Sequence, residues 1–228
     1  MSTPDRNEGR ITDWLDREAA PPTGDDMQRL GERLAERADQ EGLLDVTYRT
    51  VDSPFGSLLV AATPEGLVRV AFEREDHDAV LVSLAASISP RILRSGRRTD
   101  DVGRQLDEYF AGDRRTFDVS LDLRLVRGFR REVISRLPDI AYGSTASYAA
   151  VASAAGNPNA VRAVGSACSH NPVPLVVPCH RVVRSDGSLG QYLGGPEVKA
   201  ALLAMEDERL HGPVSDAPIP PGTTSPSR

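Results

Sequence analysis

Apolar residues recur at helical spacing in Met27, Leu30, Leu34 and Ala38, with charged positions between them, which predicts a helix over about residues 26–41. Pro21-Pro22-Thr23-Gly24 separates that helix from a weakly patterned start. Three short β-branched and aliphatic runs follow: Thr47 to Val51, Ser57 to Ala62 and Leu67 to Phe72. Ser53-Pro54-Phe55-Gly56 and Glu65-Gly66 divide them, the pattern of an antiparallel meander joined by turns. Helical spacing returns around His77 to Ser87 and Val102 to Phe110, with Gly112-Asp113 as a stop for the second.

Beyond about residue 125 the pattern changes to helices broken by Gly and Pro. Phe129, Val133, Ile134 and Leu137 form one buried stripe that Pro138 ends. Tyr142-Gly143-Ser144-Thr145 reads as a turn in which Ser144 or Thr145 caps a helix from about Ser147 to Ala155. After Gly156-Asn157-Pro158 a second helix runs from about Asn159 to Cys168, so the pair has the form of a helix-turn-helix. The expected organisation is α+β: an extension over 1–46, an amino-terminal α/β domain with an antiparallel sheet over 47–124, a helical domain over 125–212, and a flexible Pro/Ser-rich tail over 213–228.

Charge sharpens this division. Residues 1–46 hold six Arg against twelve Asp or Glu and so account for the whole net charge of −6. Residues 123–185 hold Arg124, Arg127, Arg130, Arg131, Arg136, Arg162, Arg181 and Arg184 against only Glu132 and Asp139, an excess suited to phosphate. The acidic extension is expected to shield part of that basic face. Two cysteines make no disulfide framework, no apolar run approaches a membrane span, and the first residues lack the order of an export signal. A reducing cytoplasm is the expected compartment, where thiols stay free.

Cys179 stands in Leu175-Val176-Val177-Pro178-Cys179-His180-Arg181-Val182-Val183, a thiol beside an imidazole and a guanidinium. Pro178 biases Val177 toward extended geometry, which places the thiol at the end of a short strand. A neighbouring base or fixed positive charge lowers a thiol pKa and raises the nucleophilic thiolate fraction. Adjacent side chains on extended backbone point to opposite faces, so His180 is expected to reach the sulfur only through a water.

These residues carry a resemblance. Tyr148, Gly156 to Gly165, Asn171-Pro172-Val173-Pro174, Pro178 to Val183, Gly190 to Gly195 and Lys199 to Glu206 resemble the O6-alkylguanine-DNA alkyltransferase family, also called methylated-DNA–protein-cysteine methyltransferases. The match is nearly continuous from Tyr142 to Leu210, with a fainter likeness in Ser53 to Gly56 and Leu106 to Gly112. It implies a ribonuclease H-like first domain and a winged-helix-like second one. It also implies irreversible, single-turnover transfer of an alkyl group from guanine O6 in double-stranded DNA to Cys179, without a cofactor and as a monomer. By the same resemblance Glu206, His180 and a water remove the thiol proton, and Asn171 organises the turn before Cys179. Arg162 fills the place of a flipped nucleotide, while Tyr148 presses on the neighbouring phosphate and donates to N3 of guanine. Ala160, Val161 and Gly165 lie along the minor groove. Val182, Tyr192, Leu193 and Gly194 form the base pocket, and Lys199 is a structural cation. Leu193 departs from the small hydroxyl residue or arginine that other members carry there. Some relatives bind zinc through Cys and His in the first domain; residues 1–125 have no Cys and only His77, so no metal is expected.

Three other readings fit parts of this pattern. A damaged-base binding module needs no nucleophile, a cysteine hydrolase would turn over many times, and a methyl-sensing regulator would need a second DNA-binding domain.

Overall fold

The computed structural model describes residues 23–211; the start of the acidic extension and the Pro/Ser-rich tail lie outside them. Helix α1 (Gly24–Gln40) opens on a capping box in which the Thr23 side chain accepts from Asp26 N and the Asp26 carboxylate accepts from Thr23 N. The expected helix is present, but its stripe does not face the core. Met27, Leu30 and Leu34 are 56%, 54% and 62% exposed, and Ala35 and Asp39 are the buried positions, with Asp39 paired to Arg98.

Strands β1 (Val46–Val51), β2 (Leu58–Thr63) and β3 (Gly66–Phe72) form the expected antiparallel meander. A fourth strand, β4 (Ile92–Arg94), pairs with β1 in parallel, so the sheet is mixed, in the order β3-β2-β1-β4. Helix α2 (His77–Ser87) leads to β4, and α3 (Asp100–Ala111) follows it. Gly112 ends α3 at φ 92°, a left-handed cap that a side chain would strain.

Strand alternation divides the sheet into two apolar faces. Val46, Leu59, Ala61, Val68 and Ala71 pack with Val80 and Leu84 of α2. Leu58, Val60, Leu67, Val70 and Phe72 face the other way, onto Leu106 and Tyr109 of α3 and onward to the second half of the chain. Because β2 is buried on both faces, its sequence is a continuous apolar run rather than an alternating one.

The second half contains α4 (Phe129–Arg136), α5 (Tyr148–Ala154), α6 (Val161–Ser169) and α7 (Pro196–His211). Pro138 ends α4 by starting a 3-10 turn over Leu137–Asp139. Ser147, rather than Ser144 or Thr145, caps α5, its side chain accepting from Ala150 N. Ala146–Ser147 (β5) pairs in parallel with Val182–Val183 (β6), which ties the helix-turn-helix to the segment after Cys179.

The two halves share one interior. A single cluster of buried side chains includes Leu58, Phe72 and Tyr109 from the first and Val133, Val164, Val177, Cys179 and Leu202 from the second. Backbone bonds cross the same seam: Val70 N donates to Pro172 O at 2.8 Å. Arg209 on α7 donates to the carbonyls of Tyr109 and Phe110 at 2.9 and 2.7 Å, which satisfies the carboxyl end of α3.

Candidate active site

The segment carrying Cys179 is held by its own backbone. Asn171 Nδ2 donates to Val177 O at 2.8 Å and its Oδ1 accepts from Val173 N at 3.1 Å, so one amide fixes both ends of the loop. Leu175, fully packed, sits at φ 72°, a left-handed conformation that costs a branched residue about 1–2 kcal/mol and needs rigid surroundings. Pro178 has φ −81° and ψ 62°, and Cys179 N donates to Val177 O at 2.8 Å, an inverse γ-turn. Cys179 therefore begins a 3-10 turn, Cys179–Arg181, instead of ending a strand. The Pro178 ring favours this turn as well as it favours extended chain.

The 3-10 turn sends Cys179 and His180 in different directions and buries both. His180 Nε2 lies 3.0 Å from Glu206 Oε1 on α7. Glu206 also accepts from Tyr109 Oη at 2.7 Å and from Gly143 N at 3.0 Å. Arg181 completes the shell, its Nε 3.0 Å from Oε2 and its Nη2 2.9 Å from Oε1. Burial pushes the Glu206 pKa up, but bonds from His180, Arg181 and Tyr109 outweigh it and hold the carboxyl well below its usual range. An ionised carboxylate only accepts, so the His180 proton on that side belongs to Nε2. Burial lowers the His180 pKa, so the resting imidazole is neutral and Nδ1 carries a lone pair with no protein partner.

Cys179 is 1% exposed, and Asn171 Nδ2 donates to its sulfur at 3.2 Å. Burial raises the thiol to about 11, against smaller lowering effects from the Asn171 bond and the Lys199 ammonium. The thiol is thus protonated at rest, contrary to the lowered pKa that its neighbours in sequence suggested. Arg181 spends its charge on Glu206; the cation acting on the thiol is Lys199, buried, with Nζ 2.5 Å from Val182 O and 5.9 Å from the Tyr148 ring centre. The raised pKa carries a sign for stability: between pH 9 and 11 the unfolded thiol has lost its proton while the folded one keeps it, so stability falls as pH rises. Urea unfolding across that window should show wild type losing roughly 2–3 kcal/mol more than Cys179→Ala.

A cleft of about 440 Å³ opens beside this core, lined by Tyr148, Val161, Arg162, Gly165, Ser166, Arg184 and Gln191 among others. It brings together the first turns of both helices of the helix-turn-helix and the loop after β6. Ala160 caps α6 at the same end. Burial raises the Tyr148 pKa, with the nearby Cys168 and Cys179 thiols adding to it, so the phenol stays a proton donor. Tyr192, Leu193 and Gly194 are not part of this wall. Tyr192 is buried between Phe72 and His180, with ring centroids 5.6 and 6.1 Å away. Leu193 borders a separate groove with Arg69 and Arg130, and Gly194 another with Phe55 and Phe72. Val182 is fully buried and offers its carbonyl to Lys199.

Comparison with known proteins fits both halves. Residues 46–123 match the ribonuclease-like domain of 6-O-methylguanine DNA methyltransferase, and residues 128–208 match its DNA binding domain. The chain belongs to the 6-O-methylguanine DNA methyltransferase family. It is 40% identical over 170 residues to the methylated-DNA–protein-cysteine methyltransferase of Mycolicibacterium paratuberculosis, covering 75% of this chain and 96% of that protein. Identity to the constitutive enzyme of that name from Bacillus subtilis is 36%, over 70% of this chain and 94% of the other. The crystal structure of Mycobacterium tuberculosis OGT in complex with DNA superposes with a TM-score of 0.60 at 37% identity, covering 72% of this chain and 94% of that one.

Three partners of Glu206 in this family member escaped the sequence reading: Arg181, Tyr109 and Gly143. Tyr109 lies 97 residues away on α3, and no local pattern distinguishes its hydroxyl from that of any core tyrosine. Gly143 contributes only a backbone N–H; its φ of 69° and the approach of Leu210 leave no room for a side chain. Of the eight arginines of the basic excess, Arg124 pairs with Glu65 and Asp122, Arg136 with Asp139 and Arg181 with Glu206; of the other five, Arg162 and Arg184 line the cleft and Arg130 the groove beside Leu193. Among the described residues no three His, Cys, Asp or Glu side chains converge to hold a metal ion, and no helix is long and apolar enough to cross a membrane.

Proposed function

We propose that this chain repairs DNA by direct reversal, moving the alkyl group of O6-alkylguanine in double-stranded DNA to Cys179. The observation that carries the reading is the oriented set Glu206–His180 with a free Nδ1 lone pair, next to a thiol held by Asn171. The sulfur attacks the alkyl carbon, a carbon–sulfur bond forms, the carbon–O6 bond breaks, and its electrons return to the purine ring. The thiol proton passes through a water to His180 Nδ1, and the imidazolium is stabilised by Glu206. The leaving guanine gains a proton, for which the Tyr148 phenol is the donor at N3. The product is a thioether, which has no activated carbonyl for water to attack, so each chain reacts once.

A resting thiol with a raised pKa suits this scheme: the nucleophile is produced only when substrate and base are in place. It also sits inside, so the base must leave the stack and enter the cleft. Arg162, exposed at the start of α6, has the reach to occupy the vacated place, and Ala160, Val161 and Gly165 present little bulk to the groove. Val182, Tyr192, Leu193 and Gly194 are proposed to hold the base once the loop between Gly190 and Gly195 has moved. A reducing cytoplasm keeps the thiol free, and the chain acts as a monomer without a cofactor. We also take 47–124 and 125–212 as its two structural units.

Intact-mass measurement after incubation with duplex DNA carrying O6-methylguanine tests the reaction. Each chain should gain one methyl, with no further turnover in excess substrate; repeated turnover of an unmodified chain would point to a hydrolase. Arg162→Ala should slow transfer from duplex on the order of tenfold or more, reflecting the few kcal/mol of unstacking it offsets, and should leave the rate with free O6-benzylguanine within about twofold. Equal slowing with both substrates would remove Arg162 from the flipping step.

A further inference from the structure

The first half of the chain has so far served only to support the second. Its helix α3 nevertheless sends one polar atom into the site: Tyr109 Oη, on a side chain with no exposed surface, donates to Glu206 Oε1 at 2.7 Å. That distance is the shortest of the bonds to the carboxylate, and the oxygen is the one that faces His180 Nε2. The ring is fixed on several sides, by Phe110 at 5.4 Å, Phe117 at 5.3 Å and Tyr142 at 6.1 Å between centroids. Burial and the neighbouring carboxylate raise the phenol pKa far above its usual value, so the hydroxyl remains a donor across the working pH range.

Three donors therefore share Glu206 Oε1: the phenol, the imidazole and the Arg181 guanidinium. A carboxylate oxygen that gives density to one donor has less for the others. We propose that Tyr109 is a positioning residue for the transfer reaction, by which the amino-terminal domain sets how strongly Glu206 holds the His180 proton. This rests on the reading of Glu206 and His180 as the proton relay to Cys179. The phenol restrains the carboxylate's hold on imidazolium, so the base stays weak enough to be unprotonated near neutral pH and still accepts the thiol proton during attack. The other charged groups facing His180 are Arg181 and Lys199, which both disfavour imidazolium; the neutral Tyr192 ring packs against it. Tyr109 is the member of this set that comes from the first domain and donates to the relay's carboxylate.

The test is single-turnover benzyl transfer from free O6-benzylguanine to the full chain, followed by intact mass from pH 5.5 to 9. In Tyr109→Phe the ring stays and only the donor is lost. Glu206 then holds imidazolium more tightly, His180 protonates at higher pH, and the acid limb should move up by about half to one unit. The rate should fall roughly three- to tenfold on that limb and match wild type above it. Tyr142→Phe is the control: its hydroxyl lies in the same aromatic cluster, is buried and makes no hydrogen bond, so its profile should overlay wild type. A Tyr109→Phe profile that overlays wild type, or a loss equal at every pH, would overturn the proposal and leave the tyrosine a packing residue. If wild type takes up no benzyl group, the same pH series is run with O6-methylguanine duplex; if wild type gains no methyl from that either, the relay reading fails first and is recognised as such.

Discussion

Cys179→Ser is expected to lose alkyl transfer by a factor on the order of 10⁴ or more while retaining the fold. Sulfur and oxygen fill similar space, and the Asn171 amide can still donate to the serine oxygen, so the loop keeps its anchor. What disappears is a soft nucleophile that a neutral imidazole can deprotonate; a buried hydroxyl is far less acidic. Binding of O6-methylguanine duplex, measured by fluorescence anisotropy, should stay within about threefold of wild type, because the phosphate-facing residues are untouched. A serine variant that still gains a methyl would move the acceptor to another side chain, and Cys168 would be the first to examine. That second thiol is also buried, and burial raises its pKa above that of Cys179.

The second large effect belongs to Glu206. Every group around its carboxylate is a donor: Tyr109, His180 and Arg181 on Oε1, Gly143 and Arg181 on Oε2. In Glu206→Gln the amide NH₂ must face donors whichever way it is turned. It also leaves the Arg181 guanidinium without its counter-charge, apart from the bond to Ile140 O at 2.7 Å. Removing one partner of a buried pair typically costs about 3–5 kcal/mol, which urea unfolding would show directly. Transfer should fall on the order of 10²- to 10³-fold, since the imidazolium formed during attack loses its stabilising charge. Wild-type stability together with wild-type rate in this variant would show that the carboxylate neither orients nor supports the base.

The extent to which the chain announced this site follows from the range of the interactions. The strands of the meander and the stripe of α4 are local patterns, and they stand where periodicity puts them. Strand β4 was missed because Ile92-Leu93-Arg94 is too short for alternation to register; its pairing with β1 is what makes it a strand. Helix α1 shows the limit of spacing alone, since Met27, Leu30 and Leu34 mark the element and yet stay exposed. At the site, the resemblance singled out Cys179, His180, Asn171 and Glu206, and the fold brings them into two hydrogen-bonded groups, Asn171 with Cys179 and His180 with Glu206 and Arg181. Sequence neighbours misled on the thiol: burial, which is a property of the whole fold, outweighs the charges next to it. Tyr192, Leu193 and Gly194 were expected in one pocket wall, yet the Tyr192 ring packs against Phe72 and His180 while Leu193 and Gly194 border two different grooves.

The interior that runs unbroken from Leu58 to Leu202 has an implication for inheritance. A boundary built from interlocked apolar side chains cannot drift freely on either side: a change of volume at Phe72 or Leu106 alters the bed on which Tyr192 and Tyr109 rest, and through them the geometry around the sulfur. The two halves are therefore bound to vary as one unit, and transplanting either onto a foreign partner would require refitting the seam before any chemistry could be recovered.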